Sequence, residues 1–487
     1  MKTKYALPMV LAGSVMLSGC WLDDDDDPAK SSVRVIHASA NAPAVNVVVN
    51  GMTVISGADY KQAAVLTPNA GQADLAVDAL LPGDQTLRVI DEKGVSLRSD
   101  TKYDVIAVGL VGDESQPLEP LVVTDDGARE DADSVRLRVA HLSPAAQKAV
   151  GGPVEVYLSV PGANLDDDGV LSFSFEYKAV QAPIEVPAGN YQVRVAIPGE
   201  TPTVVFDSGS VALEAGSDLL VGAVDNTSPQ TSDDAGTMEV ETNSPISLVA
   251  VTGTGAVIEL YDVNQAAGVR VVHNSAGTDP VQVLVDDSVA IPSLAFPGTV
   301  PEFPVLDEYV NVPADTLNLK VALASSAQPV NEAVINADVP FEQASAKTVI
   351  AVNAGADIEP LVVDDSVRSI ATQASLRVIH GAVEAGTVDV YLVPTAEGGA
   401  GATVLNAEVN APTLNDFEFK TNTGYLPVAA GDYVVFITDQ DGNELLKSGS
   451  VSLSAGGVYT AIARLAPEDA DNTAGLTVLD DFVMPPT

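Results

Sequence analysis

One cysteine in 487 residues leaves nothing for an intrachain disulfide or a thiolate metal cage. Cations are scarce as well. Only 23 Lys and Arg stand against 67 Asp and Glu, and the formal net charge of −44 sets the chain against nucleic acid and anionic lipid surfaces. Aromatic residues make up 5% of the chain, a thin supply for the ring platforms that hold sugars, and the single tryptophan is Trp21. Beyond the first twenty residues no apolar run has spanning length. There is no glycine-rich phosphate loop, no G-x-S-x-G elbow, no basic patch and no amphipathic helix. Stability must therefore come from hydrophobic cores, and no known catalytic signature is written in the chain.

What is present begins at the amino terminus. Lys2 and Lys4 precede the apolar stretch "ALPMVLAGSVML", which has the charge and length of an export signal. It ends in Leu17-Ser18-Gly19-Cys20, which resembles the lipobox of bacterial lipoproteins. The resemblance implies that residues 1–19 are a signal peptide, that Cys20 becomes lipidated, and that its amine takes a further acyl group such as palmitate. Each buried methylene is worth ~0.8 kcal/mol, so several chains hold a protein that one would release. Sorting in that family retains proteins with Asp after the cysteine at the inner membrane. Trp21 stands there instead, so the expectation is an outer-membrane anchor, facing the periplasm or the outside. Residues 20–32 then read as lipidated cysteine and tether. Asp23 to Asp27 repel one another, and the twelve residues from Trp21 to Ser32 reach roughly 40 Å when extended.

Internal repetition organises the rest. "VRVIHASANAPAVNVVVNG" from Val33 returns as "LRVAHLSPAAQKAVGGPVEVYLSVPG" from Leu137, "VRVVHNSAGTDPVQVLVDD" from Val269 and "LRVIHGAVEAGTVDVYLVP" from Leu376. All four histidines of the chain, His37, His141, His273 and His380, occupy one repeat position, each three residues after an arginine. Downstream, "LPGDQTLRVID", "VPAGNYQVRVAI", "VPADTLNLKVAL" and "VAAGDYVVFITD" read as a turn leading into a strand. "YDVIAVG", "DLLVGAV", "KTVIAVN" and "VYTAIAR" supply a later apolar strand, and acidic strand ends at Asp125, Asp365 and Asp481 read as solvated. Alternation in "VEVYLSV" and "VDVYLV", with turns every 8 to 12 residues, predicts an all-β chain of short strands. The expected organisation is four tandem immunoglobulin-like β-sandwich modules, at 33–126, 134–263, 267–366 and 374–483, forming a monomeric string.

The opening segment of copy one, followed by "LPGDQTLRVID", is similar to the bacterial and archaeal domain of unknown function 4397. Copy one carries the resemblance best, with Asn46 where Asp is usual. Copy four has Asp389 and Tyr391 in place without the Ala-Pro, and copies two and three are looser. The resemblance runs from Ser31 onward and implies a secreted or surface-attached β-rich module, with no activity attached.

Two sets of residues invite a chemical reading. The histidines close a strand, yet one per module, with no cysteine or second histidine beside it, does not make a zinc site. They read as repeat-marking structural residues whose ring nitrogens satisfy turn groups, and the arginine three positions earlier falls on the opposite face. The loops "NLDDDGV" and "TDQDGNE" offer Asp166, Asp168, Asp439 and Asp441 as weak calcium ligands, although neither has the twelve-residue frame of a formed site. No other cofactor is expected beyond the covalent lipid. The leading expectation is a non-catalytic, membrane-anchored lipoprotein presenting its modules for envelope or surface interaction or adhesion, with an envelope protein or polysaccharide as partner. Alternatives are a carbohydrate-binding or carbohydrate-processing accessory that uses loop carboxylates, and a calcium-stiffened surface rod.

Overall fold

The computed structural model describes residues 28–125, 127–228, 230–232, 244–301, 308–353, 357–395, 405, 411–465 and 474–482. The lipobox, Cys20 and the aspartate run lie outside the described residues. In copy one the strands are β1 (Ser32–His37), β2 (Val45–Val49), β3 (Met52–Ala58), β4 (Ala63–Leu66), β5 (Gly71–Leu81), β6 (Gln85–Leu97), β7 (Lys102–Val108) and β8 (Glu119–Asp125). They form two four-stranded sheets, ordered β4-β1-β7-β8 and β3-β2-β5-β6. β1 and β7 run parallel, with Val33 beside Tyr103, and every other neighbour is antiparallel.

The same two orders recur three more times along the chain. Within each copy the two sheets face one another, as alternation requires. In copy two, Val135, Leu137, Leu219 and Val221 of one sheet meet Val154, Val156, Phe175 and Phe206 of the other. In copy four, Ala374, Leu376 and Tyr459 meet Tyr433 and Leu453. The chain is thus all-β and built of sandwiches.

Register corrects one detail of the repeat alignment. Val77 pairs with Val47 as Val195 pairs with Val156 and Ile437 with Val390. The counterpart of "GNYQVRVAI" in copy one is therefore Gly71–Leu81. "LPGDQ" forms instead the β5–β6 hairpin, where Gly83 and Asp84 both take positive φ. In copy two the counterpart of β8 is Ile246–Thr252, and Val257–Leu260 adds a fifth strand outside it. Copy three gains an edge strand in a different way. Gln230–Ser232, from the segment of copy two between Asp218–Asp225 and Ile246–Thr252, pairs in parallel with Glu308–Val312.

The modules do not form an open string. β1, β7 and their counterparts carry buried residues on both faces, apolar toward their C-terminal ends, so each of these sheets has a second surface to bury. Ile36, Ile106 and Val108 of copy one share a core with Ala140, Leu142, Leu220, Val224, Val249 and Val251 of copy two. Val272, Ile350 and Val352 of copy three likewise pack with Ile379 and Ile462 of copy four. Copies one and two thus clamp face to face, and so do copies three and four, each pair meeting through the same sheet of both partners. Small residues let the backbones approach: a Cβ on Gly381 would stand 2.4 Å from the side-chain nitrogen of Asn274 in copy three. The segment after copy three also reaches copy one. There Arg368 donates to the carbonyls of Ala40 (2.8 Å) and Ala42 (2.5 Å), pairs with Asp59, and lies over the Tyr60 ring.

Candidate functional site

The repeated histidine ends β1 or its counterpart and points inward, on the face that carries Val33 and Val35. Its backbone then turns sharply, and the ring serves that turn. The backbone N–H two residues on donates to Nδ1: from Ser39 to His37, from Ser143 to His141 and from Ser275 to His273 at 3.4 Å, and from Ala382 to His380 at 3.3 Å. With Nδ1 accepting, Nε2 carries the proton. It donates to the carbonyl six residues on, Pro43 at 3.1 Å for His37 and Gly386 at 2.8 Å for His380. In copy three the Asp279 carbonyl, also six residues on, favours the charged ring of His273, but Nε2 makes no hydrogen bond there among the described residues. Copy two differs because its turn is replaced by a helix, Pro144–Val150, whose Gln147 carbonyl accepts from Gly151. Nε2 of His141 has no partner among the described residues. Burial pushes all four imidazoles below their ordinary value, His141 to about 4.

The arginine of the repeat lies on the opposite face of the same strand, inside the seam between paired copies. Arg34, Arg138, Arg270 and Arg377 are all buried. In the first pair Asp104 bridges two modules, accepting from Arg34 Nε at 2.7 Å and from Arg138 Nη1 at 2.8 Å. Arg34 also donates to the Val251 carbonyl of copy two at 2.9 Å. Asp125 at the end of β8 pairs with Arg136 and lies 3.5 Å from Arg138. Burial alone would raise the Asp125 carboxyl. The hydrogen bonds from Arg136 and Gly127, with the two guanidinium charges, hold it below the usual carboxylate range.

In the second pair Asp365 takes Arg377 at 2.5 Å and faces Arg270 at 3.7 Å, and its carboxylate is wholly buried. Thr348 and Thr460 stand where Asp104 stands in copy one, each opposite the arginine on the parallel strand. Thr348 accepts from Arg270, and Thr460 from Arg377. The guanidinium groups also lie over Tyr309 and Tyr425 at 5.1 and 4.7 Å. The strand-end acids Asp125 and Asp365, expected in solvent, are the anions of this seam. The Asp481 side chain lies outside the described residues.

A polar hollow of about 180 Å³ opens along the first seam, bordered by Arg34, Lys102, Arg136 and Arg138. Asp104, Asp125 and Asp218 take up guanidinium and ammonium groups there, so the hollow is an ion-paired joint. Toward the opposite end of the seam, Tyr60 donates to the Asp225 carbonyl at 2.7 Å, and Lys61 pairs with Glu259. The Asp225 carboxyl, pushed up by burial, accepts from the Ser143 hydroxyl and from the Ala145 N–H.

Asp166 and Asp168 are exposed in their loop, and the neighbouring Asp167 accepts from the Asn164 backbone at 2.7 Å. Asp439 accepts from the backbone N–H of Asp441 and Asn443, which makes it the internal brace of a hairpin turn. Among the described residues no three His, Cys, Asp or Glu side chains gather as a metal site. The seam escaped the reading of the sequence, although a signal for it was present. "VIAV", "LLVGAV" and "TVIAV" are continuous apolar runs, and such runs mark strands buried on both faces.

A family model described as a domain of unknown function (DUF4397) matches residues 31–150, 267–391 and 396–487. The chain therefore belongs to that family. Residues 151–266 lie outside the matches, although the sheets there keep the common strand order. No curated protein matches the chain.

Proposed function

We propose that this chain is a non-catalytic lipoprotein of the outer membrane, tethered through Cys20, whose four sandwiches act as a pre-assembled body for binding partners in the cell envelope or at its surface. One observation carries the reading. The polar groups repeated in every copy, the histidine and the arginine, are turned inward, where the first braces a turn and the second locks module to module. The repeat is thus built to hold a shape, and a shape held on an acidic tether suits adhesion or scaffolding.

Metabolic labelling with an alkyne analogue of palmitate tests the anchor. The wild-type chain should take the label and sediment with outer membranes, while C20S should lose the label and become soluble. Protease shaving of intact cells then separates surface-facing from periplasmic display. An unlabelled wild-type chain, or a C20S variant that stays in the membrane, would overturn the anchored reading.

A further inference from the structure

Copy three is hollow where copy two is filled. A cavity of about 480 Å³ lies between its two sheets, against about 50 Å³ in the corresponding interior of copy two. Register explains the difference. Aligning the β2–β5 pairs places Ala73, Tyr191, Leu317 and Tyr433 at one position of the four copies. Aligning the β1–β7 pairs places Tyr103, Leu219, Lys347 and Tyr459 at another. Copies one, two and four each set at least one tyrosine ring against their interior at these positions. Copy three sets none at these two positions, and its Lys347 pairs with Asp364; the ring its core does hold, Phe341, packs with Val269 and Leu317 but does not line the cavity.

Among the described residues the lining carries no charged residue and no Phe, Tyr or Trp. It is a wall of Val, Leu, Ile and Ala, with His273 and Asn311 as its polar members. An aliphatic cavity stays dry and takes apolar guests, and an unfilled one grows more costly with its volume. A cavity of ~150 Å³ admits benzene, so one about three times larger has room for on the order of 15–20 carbon atoms. Its walls follow the strands, from Val269 to His273 on one sheet and from Leu317 to Val321 on the other. The space is therefore a slot between facing sheets that stand ~10 Å apart.

From this geometry we propose that copy three binds one alkyl chain, of a free fatty acid or of a lipid, between its sheets. Copy two, filled by its own side chains, does not. This site is independent of the lipid on Cys20 and of the anchored reading.

The test uses the full chain carrying C20S, titrated with cis-parinaric acid and then with palmitate as competitor. Saturable binding of one equivalent per chain, displaced by palmitate, is expected. Leu317→Tyr, which restores the ring of copies two and four, should weaken binding by at least about tenfold. Ala337→Leu, a smaller filling change, should weaken it less, and it serves if Leu317→Tyr fails to fold. Tyr433→Leu in copy four should leave the affinity unchanged. Mass spectrometry of a solvent extract of the purified chain distinguishes the sources, since a fatty acid and a phospholipid differ in mass. Absence of saturable binding, or binding unchanged in a folded Leu317→Tyr or Ala337→Leu variant, would overturn the proposal. In either case a higher melting temperature in that variant would identify the cavity as a void only.

Discussion

Protonation of His141 offers the sharpest check on the reasoning about buried histidines. The residue is 2% exposed, its Nδ1 accepts from Ser143, and burial alone lowers its pKa from 6.5 to about 4. In the unfolded chain the same imidazole takes a proton near pH 6.5. Between those two values the unfolded state binds more protons than the folded one, so stability falls as the pH falls. The slope approaches 1.4 kcal/mol per pH unit, and the whole loss is roughly 3 kcal/mol. Above pH 6.5 the contribution is fully present, and below about pH 4 both states are protonated and the loss stops growing. His37, His273 and His380 are displaced in the same direction, so they steepen the acid limb.

Only four histidines exist, so four imidazole C–H signals can be assigned by NMR from single His→Gln variants. All four should titrate below the free value, with His141 near 4. Urea unfolding of wild type and His141→Gln, compared at pH 7 and pH 4.5, should show the wild type losing more stability through the transition that the substitution moves. Because several modules unfold, that transition is read on its own and not as one global midpoint. A His141 signal titrating at or above 6.5, or stability curves that run parallel across the window, would refute the argument.

Two further predictions concern the seams. Arg377→Ala should leave the Asp365 carboxylate buried without its 2.5 Å partner and cost about 3–5 kcal/mol, read as lost amide-exchange protection in 359–365 and 374–380. Unchanged protection there would mean that the ion pair holds nothing. Ile379→Ala removes a fully buried side chain from the core shared by copies three and four, at a cost of about 2–5 kcal/mol. Exchange should then rise on both sides of that seam, in 346–352 as well as 374–380, whereas a loss confined to copy four would argue against a shared core.

Period-two alternation, turn residues and the fourfold recurrence of Arg-x-x-His were enough to read an all-β chain of repeated sandwiches, because these are local features and strand geometry follows from them. Strand parity likewise put histidine and arginine on opposite faces, since an odd offset reverses direction whatever surrounds the strand. Register was harder. "LPGDQ" looks like the turn before a strand and is a hairpin, and only the pairing of Val47 with Val77 separates the two.

What alternation could not reveal was the partner of each outer face. Asp125 at a strand end looks solvated until a second module arrives against it, and Asp365 is the same residue in the other pair. The hollow in copy three is also invisible in "VPADTLNLKVAL", because a missing ring is felt only across the two facing sheets that would have held it. Strand, turn and repeat were local and so belonged to the sequence. Which sheets meet, which charges they bury and which space they leave open depend on residues far apart in the chain, and those only the tertiary structure decided.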